Sequence, residues 1–389
     1  MNLIFKEDEI MKIIFRKGIF IIIVFLILLC FGCGKETSET LNTESKIERK
    51  NKTKTEEELQ TKETKVVIDM ADRTVEVPKN IKKVYCTSPV GTIITYTISP
   101  NLLAGLNYEL SDNVKEFMPS SFTSLPVLGG WFGQGNNGNM EEIAKVKPDI
   151  IINAGTIVDK TVDFSDNLQK KLGIPVVFVG VDLKSMDKSY KFLGDLLDQR
   201  DRTDELGNYV SMTLSEVKKK VKDIPQKDKI RVYYAETSTG LQTDPAGSPH
   251  TQVLDLVGGI NVADVKPVSS YGRAEVTVEQ LIKWNPDLII TGHTETEAAY
   301  DYMQNDSVMK NLRAIQNGNI YEVPNVPFSW FDRPPSANTI LGLKWTAQIL
   351  YPEIFKYDLK KEVKKFYKLY YSYDLTEAQI DRLLKRGNR

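Results

Sequence analysis

Two arginines in this chain lie beside aromatic rings in stretches rich in glycine, proline and serine. Tyr271 and Arg273 sit in SSYGRAE, and Trp330, Phe331 and Arg333 sit in NVPFSWFDRPPS, directly after the apolar strand IYEVP. A third stretch, GGWFGQGNNGN, sets Trp131 and Phe132 among glycines. Rings stack on flat ligands, and a guanidinium pairs with carboxylate or catecholate oxygens and can itself stack, so the combination suits a planar or aromatic anion. Arg273 is the clearest ligand contact, because a charge in a Tyr-Gly-Arg loop has no packing task. Arg333 precedes Pro334-Pro335 and either meets the ligand or caps the next helix. Trp330 and Phe331 belong either to a cleft or to the core.

Other chemistry is thinly furnished. The chain has two histidines, His250 and His293, whereas a bare zinc or manganese ion needs a cluster of His and carboxylate ligands. The string HTETE, with His293, Glu295 and Glu297, reads as a solvated loop, so no metal site is assigned. His250 could serve as an axial ligand for haem iron or touch a nickel chelate. There is no GxSxG, no HExxH, and no P-loop lysine in the glycine-rich stretch, which argues against an extracellular hydrolase.

A repeat supplies a second pair of candidates. GNMEEIAKVKPDIIINA (138–154) and VTVEQLIKWNPDLIITG (276–292) superimpose Glu141 on Glu279, Lys145 on Lys283 and Pro148-Asp149 on Pro286-Asp287. Each reads as helix, turn and buried strand. Asn139 and Thr277 are N-caps, with Glu142 and Gln280 positioned to close capping boxes. That leaves Glu141 and Glu279 facing outward, either as dipole-favoured helix starters or as equivalent acids of a two-point docking surface.

The elements that position these residues follow from patterning. Apolar strands KKVYC, DIIINA, PVVFVG, IRVYYAE, DLIITG and IYEVP alternate with helical stretches, the pattern of parallel α/β sheets, and ligands in such sheets bind beyond the carboxyl ends of the strands. A chain of 389 residues is too long for one compact core, and the net charge of −1 argues against a nucleic-acid surface. Two lobes are expected, at 65–184 and 225–352, followed by C-terminal helices at 353–389. Between the lobes, 185–224 reads as one helix of roughly 35 residues, a stiff spine. Cys86, in the strand KVYC, reads as a small buried hydrophobe.

The N-terminus carries a membrane signal. Basic residues precede IFIIIVFLILL, which ends at Cys30-Phe31-Gly32-Cys33, so 1–32 reads as a signal peptide, with Met1 or Met11 as its start. The alternative is a plain N-terminal anchor helix. Residues 33–64, nearly devoid of apolar side chains, read as a flexible tether.

Taken in order, IDMADRTVEVPKNIKKVYCTSP, NMEEIAKVKPDIII, the spine, VLDLVGGINVA, VTVEQLIKWNPDLIITG and FSWFDRPPSANTILGLKWTAQILYPE resemble the class III (cluster A-I) substrate-binding lipoproteins of ABC importers. The resemblance implies a two-lobed fold with mainly parallel sheets joined by the spine helix, no catalysis and no intrinsic cofactor. It also implies that Glu141 and Glu279 meet arginines of a membrane permease, which works with an ATPase. Cys33 would be the lipidated residue, holding a monomer outside the cytoplasm. The ligand it implies is an iron complex of the ferric siderophore type, with haem, cobalamin, a nickel chelate or molybdate as alternatives. A surface lipoprotein without a transport role is the alternative of another class.

Overall fold

The computed structural model describes residues 63–133, 135–266, 272–292 and 299–388. The signal peptide, the lipobox, Tyr271, the HTETE string and all of the tether but its last two residues lie outside them; Thr64, expected in the tether, instead begins the first strand. No helix among the described residues is long and apolar enough to cross a membrane.

Strands β1 (Thr64–Ile68) and β2 (Thr74–Pro78) form the antiparallel hairpin that KVVIDMADRTVEVP predicts. Then come two parallel sheets. In the N-terminal one, β4 (Ile150–Gly155) lies between β3 (Val84–Cys86) and β5 (Val176–Gly180). In the C-terminal one, β10 (Leu288–Thr291) lies between β6 (Arg231–Ala235) and β11 (Ile320–Glu322), with β8 (Ile260–Asn261) beyond β6. A separate short pair, β7 (Gln242–Thr243) with β9 (Ala274–Glu275), sits beside this sheet. Cys86 is fully buried as expected, and burial pushes its thiol up to about 12.

The repeat builds the middle of both sheets. Helices α2 (Met140–Val146) and α7 (Val278–Trp284) end at equivalent left-handed residues, Lys147 and Asn285, and lead into the central strands β4 and β10. The repeated Pro-Asp has a defined task. Asp149 Oδ2 accepts the Lys82 and Lys83 amides, and Asp287 Oδ2 accepts the Arg231 amide, pinning the start of the neighbouring strand in each lobe. The caps form only halfway to a box. Asn139 and Thr277 accept the amides of Glu142 and Gln280, but the Asn139 amide is already donated to the Leu128 carbonyl, and the Glu142 carboxylate turns to Lys145 instead.

The expected 35-residue spine is two helices. After α1 (Pro89–Ile98) and α3 (Asp159–Leu172), the chain runs through α4 (Met186–Leu197) and α5 (Arg200–Val221). Asp198 breaks the run at φ 56°, a conformation that Asp tolerates because its short polar side chain bonds locally. Gly194 of α4 then meets Thr203 of α5, and Gly207 of α5 meets Asp187 and Tyr190, so the pair folds back as an antiparallel hairpin. Thus α5 alone spans the lobes, 22 residues or about 33 Å.

Helices α6 (Gln252–Leu256) and α8 (Ala299–Asn305) flank the second sheet, and α9 (Asn338–Leu350) packs on α5. The closing pair is α10 (Leu359–Tyr371) and α11 (Glu377–Leu384). Helix α9 is buried along nearly its whole length, and Gly342 lets it press on the loop after β11: a Cβ there would fall on the Trp330 carbonyl oxygen. Because that obstacle is backbone, Gly342→Ala should cost about 1–3 kcal/mol, read as a lower urea midpoint at unchanged slope. An unchanged midpoint would show that the loop is not clamped there.

Candidate functional site

Sequence-distant residues meet at the carboxyl edge of the second sheet. Glu236 directly follows β6, Asp244 follows β7, Arg273 precedes β9, His250 lies in the turn before α6, and Asp332-Arg333 lie in the loop from β11 to α9. Glu236 Oε1 accepts Arg273 Nε at 3.0 Å and Arg333 Nε at 2.6 Å. Arg333 also donates through Nη2 to Asp244 Oδ2 and lies 3.3 Å from Asp332 Oδ2. His250 Nδ1 is 2.8 Å from Asp332 Oδ1. Ser248 Oγ donates to Asp244 Oδ1 at 3.1 Å, and Asn261 holds the Asp244 carbonyl. The three carboxylates are buried, while each arginine keeps about a quarter of its side chain exposed.

Local structure explains why these groups converge. Gly272, at φ 95°, lies against Asp244 and His250 just before Arg273, and any Cβ would strike that carboxylate. The Asp332-Arg333 loop is seated from below. Ser329 Oγ accepts the amides of Phe331 and Asp332, Trp330 N donates to the Pro324 carbonyl, and Asn338 Nδ2 donates to the Phe328 carbonyl.

This seating corrects part of the sequence reading. Trp330 is fully buried and Phe331 is 2% exposed, packed 4.6 Å from the Tyr234 ring, so both belong to the core that carries the loop. Arg333 does not cap the next helix: its side chain goes to Glu236, Asp244 and Asp332. Arg273 has a structural partner after all. Glu236, Asp244 and Asp332 were not singled out from sequence, and the available hint was weak, namely acids next to a strand end and next to an arginine.

In the first lobe, Asn107 ties the aromatic loop to the sheet. Its Nδ2 donates to the Cys86 and Gly129 carbonyls, and its Oδ1 accepts Thr92 Oγ1. Trp131 is half-buried, edge-on to Phe164 at 5.4 Å, and serves packing. Phe132 is half-buried against Tyr108 at 6.0 Å. Tyr108, Asn107 and Thr92 share a shallow recess with Phe328 of the second lobe, so strand-end loops of both lobes meet there. A larger recess, lined by Tyr96, Phe117, Tyr370 and Arg202, opens at the C-terminal end of α1 instead. Arg202 already donates to the Thr97 and Leu369 carbonyls, so the recess is assigned no ligand.

The electrostatics are those of a buried, nearly balanced cluster. Burial, with Asp244 beside it, outweighs the pull of Arg333 and Arg273 and pushes Glu236 up to about 7. Burial pulls His250 down, but the hydrogen bond and charge of Asp332 leave it above its ordinary value. Oxygen and nitrogen atoms of Asp244, His250 and Asp332 lie close enough together to hold a cation. The Arg333 guanidinium already supplies positive charge to both carboxylates there, so they do not fit a bare metal ion.

The docking candidates are both exposed. The Glu141 carboxylate lies 3.3 Å from Lys145, and the Glu279 carboxylate is held low by its own amide and the Thr277 hydroxyl.

With this geometry, the chain matches the periplasmic binding protein family over residues 131–327. An ABC transporter solute binding protein from Sulfurospirillum deleyianum is 32% identical, with a TM-score of 0.76 over 82% of this chain and 99% of that one. The high-affinity heme uptake system protein IsdE of Staphylococcus aureus is 26% identical over 221 residues, covering 54% of this chain and 70% of that protein. The molybdate periplasmic binding protein MolA of Haemophilus influenzae shares the fold at 19% identity, with a TM-score of 0.66 over 80% of this chain and 99% of its own. The chain belongs to the periplasmic binding protein family. It is an extracytoplasmic solute-binding protein of an ABC transporter, of the class III type, and not an enzyme.

Because Asp332 raises the His250 imidazole, the stability this pair adds is full below pH about 6.5 and is lost as pH rises through the raised value. Asp332→Asn should lower the His250 midpoint in an NMR titration, where only two histidines need assignment. A midpoint that stays put would refute the pairing.

Proposed function

We propose that this solute-binding protein captures an anionic iron chelate of the ferric siderophore type and delivers it to a membrane permease with its ATPase. The pair Arg273 and Arg333, fixed at the carboxyl edge of the second sheet, carries the reading. Guanidiniums pair with catecholate or carboxylate oxygens, and a half-buried ring, Phe132 on Tyr108, stands at the edge of the first lobe to receive a flat face. Haem is the second reading, supported by His250. Its Nδ1 is backed by Asp332, the arrangement that commonly orients an iron-binding imidazole, and the S. aureus relative is named for haem uptake.

Intrinsic fluorescence titration against ferric catecholate and carboxylate chelates, haemin, cobalamin, a nickel chelate and molybdate tests both readings. Arg273→Ala should weaken an anionic chelate roughly 10- to 100-fold, the loss of one charge-assisted hydrogen bond. An unchanged dissociation constant would sink the assignment. For haem, the native chain should give a Soret shift that His250→Ala abolishes.

The remaining proposals concern delivery. Glu141 and Glu279 dock on permease arginines, and Cys33 carries the lipid that holds a monomeric chain at the membrane through the tether. Reversing both glutamates to lysine should stop uptake in cells while leaving chelate affinity intact, whereas a fall in affinity would return those residues to the fold. Cys33→Ala should shift the chain out of the membrane fraction.

A further inference from the structure

Both guanidiniums converge on a single atom. Arg273 Nε and Arg333 Nε donate to the same oxygen, Glu236 Oε1, so the two nitrogens can be no more than about 5.6 Å apart, the sum of the two bonds. The other oxygen, Oε2, is buried and has no hydrogen-bond partner among the described residues. A carboxylate that spends one oxygen on two cations and buries the other unpaired is built for two states. Ionised, it draws the arginines together. Protonated on Oε2, it still accepts at Oε1 but no longer adds a negative charge beside the two guanidiniums.

We infer that Glu236 is a positioning residue that holds Arg273 and Arg333 as a paired receptor for a ligand with two anionic oxygens, and that it takes up one proton from solvent as the ligand binds. The inference rests on the arginine pair proposed above as the binding site and adds what governs it. The step balances simply: the ligand brings negative charge beside Glu236, and a proton added to Oε2 removes one negative charge from the cluster.

The surroundings favour this. The charged neighbours are Arg273 in the loop before β9, Arg333 and Asp332 in the loop before α9, Asp244 after β7, and His250 beyond Asp332. Tyr233 and Tyr234 of β6 lie close as well, and their hydroxyls are held far above the ordinary range by burial and by the Glu236 charge. They stay neutral across the working range. Glu236 itself is already poised near pH 7 by burial and by Asp244, so a small added negative potential tips it. His250, raised by Asp332, would shift in the same direction, so it must be separated experimentally.

The test is calorimetric titration of the chain at pH 6, 7 and 8, in buffers of differing ionisation heat, using ferric dicitrate, haemin and molybdate as probes. With the native residue, affinity for an anionic probe should fall up to about tenfold between pH 6 and pH 8 beyond the probe's own ionisation, with proton uptake near pH 7. Glu236→Gln keeps an acceptor oxygen but cannot titrate, so its slope should flatten and its proton uptake vanish. Equal slopes in native and Glu236→Gln chains would overturn the inference, and so would a slope that flattens in His250→Asn instead. Pronounced pH linkage with molybdate but no binding of either iron probe would support the inference while refuting the iron-chelate reading. Binding of no anion would refute both.

Discussion

Two like charges about 5 Å apart repel by roughly 3 kcal/mol at an effective dielectric of about 20, and the proposed binding site depends on how that repulsion is offset. The offset comes from Glu236, Asp244 and Asp332, which are buried where a lone carboxylate would be costly. Neither set is tolerable alone: the arginines need the acids to stand side by side, and the acids need the arginines to be buried at all. The cluster therefore forms only when four separate segments arrive together, after β6, after β7, before β9 and after β11. Gly272 allows the third to approach and Ser329 shapes the fourth.

The loop after β11 is the most demanding of these, because it must hold two charges of opposite sign in consecutive residues. It is gripped on several sides. Trp330 is buried beneath it, α9 presses against it at Gly342, and Asn338 at the start of α9 holds the Phe328 carbonyl. Helix α10 extends the grip, with Tyr367 donating to the Val326 carbonyl and Tyr371 to Asn338 Oδ1. The same helix packs on α1 of the first lobe, and Arg382 of α11 pairs with Glu116 there. The C-terminal segment thus supports the second lobe's site from a footing on the first, which gives these helices a role beyond covering apolar surface.

Periodicity made the frame legible. The repeat 138–154 and 276–292 predicts a helix leading into a buried strand in each lobe, and both N-caps form at the residues expected. Alternation in 66–78 predicts the hairpin. Local pattern could not reveal that the spine would break, because nothing at Asp198 departs from helical spacing. The break is set by a tertiary fit, Gly194 against Thr203. Trp330 and Phe331 sit in a loop rich in proline and serine, where composition says nothing about burial. The missing acids follow the same logic: Glu236, Asp244 and Asp332 matter through partners 37 to 97 positions away, and single-residue reading sees only an acid near a turn.

The repeat also shows which features of the two lobes have to match and which do not. Helices α2 and α7 agree in cap, first-turn glutamate, left-handed exit and strand-pinning aspartate, so the proposed docking acids are displayed alike on both halves. The strand ends a few residues away have diverged completely. The second lobe concentrates ionised groups, whereas the first offers a neutral network of Asn107, Thr92, Thr87 and Asn153 with half-buried rings. A partner that touches both lobes at once requires equivalent handles. A ligand with a charged end and a flat or apolar end requires unequal ones. Placing the proposed handles at the helix starts and the proposed ligand contacts at the carboxyl ends of the strands lets one duplicated unit satisfy both demands, because the two ends of a strand diverge independently.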